Sequence, residues 1–343
     1  MVAIGVDTHK ASLAACAIDG LGRPVAERSF ANSPAGHRAF EHWLGALPLP
    51  RRIGIEGSGS FGAALSQGLL AAGEEVREVP AILTHRERRR TGRPGKSDPA
   101  DALAIARVVL REEALPPVRG PHGYRDLKLL VDYREQLIAE QTRLRNRLHS
   151  DLQVLMPGYG PGLGDVRHAS GISAPRRLLA PLSGVAVELT ELRLARLEAL
   201  AAEIAQNKIR VEGVLSGEHT ALTPICGVGA VTAARLLGET GDARRFHSAA
   251  AFAMACGVAP IPASSGNTQR VRLNRRGNRQ LNRALFTVAF TQARCYAPAR
   301  TYMERKRAEG KTWNEALRCL KRHLADVVYR AMLEDYRTEA LTT

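Results

Sequence analysis

Short apolar, β-branched runs alternate with longer stripes at helical spacing through the first hundred residues. Val2–Val6 is one such run, and it ends in a carboxylate, Asp7, beside Thr8, His9 and Lys10. Ser12–Asp19 and Pro24–Ala31 follow, parted by Gly20-Leu21-Gly22. Three extended segments with hairpin-sized gaps predict an antiparallel meander. Ser33 reads as a helix cap and Pro34 as the first helical position, with Phe40, Trp43 and Leu44 on the apolar face. Arg51–Glu56 is the next strand, and it too ends in an acid. Gly57-Ser58-Gly59-Ser60 leads into an amphipathic helix to about Ala72, and Glu75–Val79 makes a fifth strand. The order is βββαβαβ, closed by a helix from about Pro99. This α/β domain occupies residues 1–115.

Beyond Pro116-Pro117 the periodicity changes. From Arg125 to Leu155, Leu130, Tyr133, Leu137, Leu144 and Leu148 recur at a 3-4 spacing, which predicts one long helix. Met156–Gly164 breaks it, and a second long helix is expected from about Ser183 to Leu215. The connector at 120–220 is therefore either an antiparallel coiled-coil hairpin or an oligomerisation arm. Residues 221–335 are expected to be mainly α. There Leu222–Leu237 holds a Gly-x-Gly turn between apolar stretches, similar to a helix-hairpin-helix, whose turn offers backbone N–H groups to a phosphate.

Candidate chemistry starts with the acids. Asp98 and Asp101 lie three apart, on one helical face. With Asp7 and Glu56 at strand ends, four carboxylates converge on one end of a mixed sheet. Each alone admits a bland reading, as a turn residue, a loop acid or a cap. Together they cannot all stay ionised cheaply without cations. Two Mg²⁺ or Mn²⁺ ions about 4 Å apart would form a clamp for phosphodiester chemistry. Just ahead of Asp98, His85–Lys96 holds five Arg and one Lys against one Glu. Read as a loop, it offers Arg88, Arg89, Arg90, Arg93 and Lys96 to backbone phosphates.

Charge extends this picture. The 343 residues carry 49 Lys+Arg against 34 Asp+Glu, a formal charge of +15, which favours a polyanionic partner. Ala243–Met303 contains ten Arg and no Asp, Glu or Lys. Within it Arg270, Arg272, Arg275, Arg276 and Arg279 follow Ser264, Ser265 and Gly266 closely. These serines read as loop polar residues, as phosphate ligands, or as a nucleophile with arginines stabilising phosphorus-centred charge. Tyr296, Tyr302, Tyr329 and Tyr336 are rival nucleophiles, but they sit in helical patterns. The five cysteines show no metal-ligand spacing, and no signal peptide or 18-residue apolar run occurs. A cytoplasmic protein with no membrane partner is expected.

The motifs resemble those of IS110-family transposases, including the IS1111 branch, over essentially the whole chain. They are IGVDTHK (4–10), GIEGSGSFG (54–62), KSDPADA (96–102), TPICGVGAVTAARLL (223–237), AFAMACGVAPIPASSG (251–266) and LNRRGNRQLNRALF (273–286). The resemblance implies a RuvC-like domain of RNase H-like fold with an Asp-Glu-Asp-Asp metal set on Asp7, Glu56, Asp98 and Asp101. It further implies a coiled-coil connector and a C-terminal domain whose serine cleaves the strand, here Ser265 with Ser264 as the alternative. It implies a non-coding guide RNA that pairs with donor and target double-stranded DNA, and a homotetramer joining the acidic site of one subunit to the serine of another. The expected activity is RNA-guided, site-specific recombination through a phosphoserine intermediate. A metal-only junction nuclease and a non-enzymatic nucleic-acid-binding protein are the alternatives.

Overall fold

The computed structural model describes residues 1–91, 98–113, 115–118, 123–160, 169–218, 220–262, 271–272, 274 and 277–342. They form two compact units, Met1–His122 and Gly123–Thr343.

In the first unit β1 (Val2–Thr8), β2 (Ser12–Ile18) and β3 (Pro24–Ala31) build the predicted meander. Ser33 caps α1 (Pro34–Gly45) by accepting from Gly36 N, with Pro34 in the first turn. β4 (Arg51–Glu56) lies parallel to β1, then come α2 (Ala63–Ala71) and β5 (Val76–Glu78), parallel to β4. The sheet order is β3-β2-β1-β4-β5, the topology of an RNase H-like fold. α3 (Ala81–Thr91) and α4 (Asp98–Arg111) follow.

Alternation along the strands sorts the sheet into two cores. Val2, Ile4 and Val6 pack with Phe40, Leu44, Leu65 and Leu69 of α1 and α2. Ala3, Ala14, Cys16 and Ile18 pack on the other face with Ala102, Ile105, Ala106 and Val109 of α4. Gly5 and Gly54 are register partners on that second face. A Cβ on Gly5 would meet Ala102 O and Ala106 N at 2.2 Å, and one on Gly54 would meet Val109 Cγ2 at 2.1 Å. The paired glycines thus let α4 lie directly on the sheet.

Helix α3 differs from the loop expected at His85–Lys96. Residues 85–91 are helical, because Ala81, Ile82 and the arginines favour a helix and the buried Thr84 and Glu87 face inward. Glu87 is ion-paired with Arg111 of α4. Residues 92–97, including Arg93 and Lys96, lie outside the described residues.

The second unit begins with α5 (Gly123–Leu155), α6 (Ala169–Leu179) and α7 (Val185–Ser216). Arg134 donates to Ile204 O, Asn207 to Leu130 O, Arg196 to Glu140, and Arg193 pairs with Asp151. Rising numbers on one arm meet falling numbers on the other, so α5 and α7 form an antiparallel hairpin. Where only a Gly/Pro-rich insertion was expected, α6 packs Ile172 and Leu179 against Leu148, Leu152, Leu194 and Leu197 near the hairpin tip.

Hydrogen-bonded turns over 221–227 precede the Gly227-Val228-Gly229 turn and α8 (Ala230–Thr240), so only the second arm of the helix-hairpin-helix pattern is a full helix. α9 (Ala249–Ala255), a two-stranded ladder of β6 (Ile261–Pro262) and β7 (Val271–Arg272), α10 (Arg279–Cys295), α11 (Ala297–Ala308) and α12 (Trp313–Thr342) complete the unit. Their core is filled by Leu236, Phe252, Leu285, Val288, Leu324 and Val328. Among the described residues no helix is long and apolar enough to cross a membrane.

Candidate active site

The first unit gathers acids where its parallel strands end. Asp7 and Glu56 are direct register partners on β1 and β4. They share the parity, and therefore the sheet face, of Gly5 and Gly54, the face on which α4 lies. The first turn of α4 brings Asp98 and Asp101 to the same end. Asp7, Glu56 and Asp101 line a cavity of about 270 Å³ with Thr8, His9 and Arg88. Asp98 approaches from the rim. Its Oδ1 is 3.2 Å from His9 Nε2, which is 3.2 Å from Asp7 Oδ2.

Backbone contacts fix this rim. Thr8 donates to Glu56 O at 2.8 Å, tying the strand ends together. Asn32 Nδ2 donates to His9 O at 2.8 Å and to Phe61 O at 2.9 Å, and Asn32 Oδ1 lies 2.8 Å from His37 Nε2. Ser58 N donates to Glu78 at 3.1 Å, anchoring the turn after Glu56.

Electrostatics follow from crowding. Burial pushes the Asp7 carboxyl above its ordinary value; His9 opposes this, and Asp101, Glu56 and Asp98 add repulsion. Asp101 is 6% exposed and bonded to Arg88 Nη1 at 2.6 Å. Asp7 Oδ2 is buried yet accepts no aligned hydrogen bond, despite His9 alongside. A buried carboxylate oxygen without a donor, among three further acids, fits a divalent cation. Atoms of Asp7, His9 and Asp98 lie within 4.8 Å of one another, close enough to share one ion.

Of the arginines expected to contact phosphate, Arg88 is committed to Asp101, while Arg89 and Arg90 are exposed on α3. Arg272 is exposed on β7, and Arg279 is exposed in the first turn of α10. Ser264, Ser265, Arg270, Arg275 and Arg276 lie outside the described residues. The contacts of His9 with Asp7 and Asp98, and of Arg88 with Asp101, are what motif reading does not reach. His9 stands two residues after Asp7, the spacing that returns a side chain to the same face of an extended chain, which is the signal that points to it.

Comparison with known proteins decides the family. Residues 4–157 match a transposase family model of the IS110 DEDD type, and residues 219–304 match the transposase IS116/IS110/IS902 family. This chain belongs to the IS110 family of transposases. It is 26% identical over 385 residues to an insertion element IS116 uncharacterized 44.8 kDa protein of Streptomyces clavuligerus, covering 97% of this chain and 95% of that one. To an insertion element IS110 uncharacterized 43.6 kDa protein of Streptomyces coelicolor it is 44% identical over 115 residues, 33% of this chain and 28% of the relative. A pilin gene-inverting protein of Moraxella bovis is 24% identical over 344 residues, 97% of this chain and 96% of that one. Among solved structures, Thermus thermophilus RuvC in complex with a Holliday junction substrate aligns with 34% of this chain and 99% of its own, at 19% identity and a TM-score of 0.28.

As an IS110-family transposase the chain is a DNA recombination enzyme. That identity removes the non-enzymatic reading of its basic surface. Its RNase H-like unit carries the acid set expected of divalent-cation-dependent phosphodiester chemistry.

Proposed function

We propose that this transposase is an RNA-guided, site-specific recombinase that cuts and rejoins DNA through a phosphoserine intermediate. The observation that carries the metal half of the reading is the register pair Asp7–Glu56, with Asp101 in the same cavity and Asp98 at its rim. These four acids would hold Mg²⁺, or Mn²⁺ in its place, and the bound cations would supply charge stabilisation at the scissile phosphate. Asp7 offers the buried donor atom, and Arg88 holds Asp101 in orientation.

The nucleophile in this reading is the Ser265 hydroxyl, with Ser264 the alternative. Oγ attacks phosphorus, an Oγ–P bond forms, and the P–O3′ bond breaks to leave a 3′-hydroxyl and a 5′-phosphoserine. The exchanged 3′-hydroxyl then reverses the step on a new partner strand. Arg270, Arg272, Arg275, Arg276 and Arg279 hold backbone phosphates around the reacting strand, and Arg89, Arg90, Arg93 and Lys96 do so at the first unit. A non-coding RNA reads donor and target duplexes by pairing, so no recognition helix is required. The acidic site of one subunit works with the serine of another in a cytoplasmic tetramer.

Three measurements test the parts separately. Sequencing RNA that co-purifies with the protein is expected to return one discrete non-coding species; random cellular RNA would refute guidance. Ser265→Ala is expected to abolish the covalent protein–DNA adduct while leaving cation binding intact. An undiminished adduct in the Ser264→Ala/Ser265→Ala double variant would refute a serine nucleophile, and cleavage that proceeds with no covalent adduct even in the wild type would leave the metal-only nuclease as the mechanism. Asp101→Asn is expected to lower cleavage at least 100-fold, a drop on the order of that for losing one electrostatic element at a reacting phosphate.

A further inference from the structure

The second unit holds a groove of about 1290 Å³ lined by Gly257, Val258 and residues of α10, α11 and α12. Its lining is basic. Arg279, Arg283, Arg318, Lys321 and Arg322 face it, and among the described residues Glu315 is the one carboxylate in the lining. Arg283 is shared with Glu135, and Arg322 with Asp326. Lys321 is half-buried. It donates to Asn282 Oδ1 at 2.9 Å, and Asn282 Nδ2 in turn donates to Cys256 O and Gly257 O at 3.0 Å. Burial, with Arg318 adding repulsion, holds the Lys321 ammonium below its ordinary value. An arriving phosphate relieves both penalties.

An aromatic rail borders this groove. Phe286 lines it and sits under Lys321 Nζ at 5.8 Å. Phe290, one helical turn on, stacks with Phe286 at 6.0 Å, and Trp313 meets Phe290 at 6.0 Å from the start of α12. The three rings are 45%, 38% and 40% exposed. Large rings left in water in a row, beside a basic groove, mark a binding surface. Cations that track a backbone, interleaved with aromatic faces, are the arrangement that holds unpaired strands. Duplex bases are already stacked on one another and offer no free faces to such rings.

We infer that this groove binds an unpaired DNA strand, with its bases stacked along Phe286, Phe290 and Trp313 and its phosphates on the arginines and Lys321. The occupant follows from the activity. An enzyme that recombines DNA must hold a strand that has left its old complement and has not yet joined a new one. The inference rests on the transposase identity alone and stands whether or not an RNA guides the reaction or a serine forms the adduct.

Trp313 supplies the test. The chain has two tryptophans, Trp43 and Trp313, so a full-length Trp43→Phe variant makes emission report the rail. A short single-stranded DNA is expected to quench that emission and to bind more tightly than its own duplex or an RNA of the same sequence. Phe286→Ala is expected to weaken strand binding about tenfold, in line with the loss of one stacking partner, and Phe286→Trp to restore it. Arg318→Gln is expected to weaken binding and flatten its salt dependence. Three results would overturn the inference: duplex or RNA binding as tightly as the single strand, strand binding without any change at Trp313, or Phe286→Ala shifting the oligomeric state while strand affinity stays unchanged. The last would mark the rail as a contact between copies of this chain.

Discussion

Replacing Gly5 by alanine tests how the fold positions the acids. The new Cβ would lie 2.2 Å from both Ala102 O and Ala106 N. Both are backbone atoms of α4, so no side-chain rotation relieves the clash, and the helix must retreat by on the order of 1 Å. Overpacking of this kind costs ~1–3 kcal/mol, and a main-chain contact belongs at the upper end. A loss of about 3 kcal/mol lowers the Tm of a unit this size by about 10 °C or more. The same retreat carries Asp98 and Asp101 away from Asp7 and Glu56, and a displacement of about 1 Å at a reacting centre costs on the order of 100-fold in rate. Trp43, packed against the core of the first unit, reports its melting in a Trp313→Phe background, and strand cleavage is measured in the wild-type background. Gly20→Ala is the control, since a Cβ there meets nothing within 4 Å. The reasoning fails if Gly5→Ala melts and cleaves like wild type, or if Gly20→Ala is equally damaging.

Asp7 gives a prediction with a definite sign. Because burial raises its carboxyl in the folded state, its contribution is present at low pH and is lost as pH rises through the ordinary carboxylate range to the raised value. Asp7→Asn is therefore expected to be more stable than wild type in chelator at neutral pH, with the gap closing on acidification. Adding Mg²⁺ is expected to raise the wild-type Tm and not that of the variant, as read by thermal melts in parallel. Cysteine labelling tests the cores. Burial pushes the Cys256 thiol up to about 12, and burial with Glu27 alongside does the same for Cys16. Iodoacetamide on the native protein is expected to mark the exposed Cys295 first, with Cys16 and Cys256 protected until denaturant is added, as mass spectrometry of digests would show.

The strand-ending acids were legible because a β-branched run followed by a carboxylate records both a buried strand and its edge. Ser33-Pro34 marked a helix start for a similarly local reason, and that cap forms as read. What escaped depended on contacts between distant segments. Arg88 reads as one of a row of exposed arginines, and only the packing of α3 on α4 turns it toward Asp101. Glycine and proline at 92–95 suggested a loop that begins too early, since the helix before them is held by the buried Thr84 and Glu87. The basic groove was illegible for the same cause. Arg318, Lys321 and Arg322 look like a solvated helix face until α10 sets Asn282 and Phe286 opposite them.

The hairpin of α5 and α7 has a consequence for reach. Leu127 and Val131 near its start, and Val211 and Leu215 near its end, share one core with α8 and α12. Leu148, Leu152, Leu194 and Leu197 form another with α6 near the tip. The arms that carry both cores are 33 and 32 residues long, each about 50 Å at the rise of an α-helix. Adding seven residues to each arm would move the tip outward by about 10 Å and keep the apolar seam in phase, without disturbing either core. Arm length alone therefore sets how far the tip core lies from the core at the base, a separation that insertion or deletion can change while each core keeps its own packing.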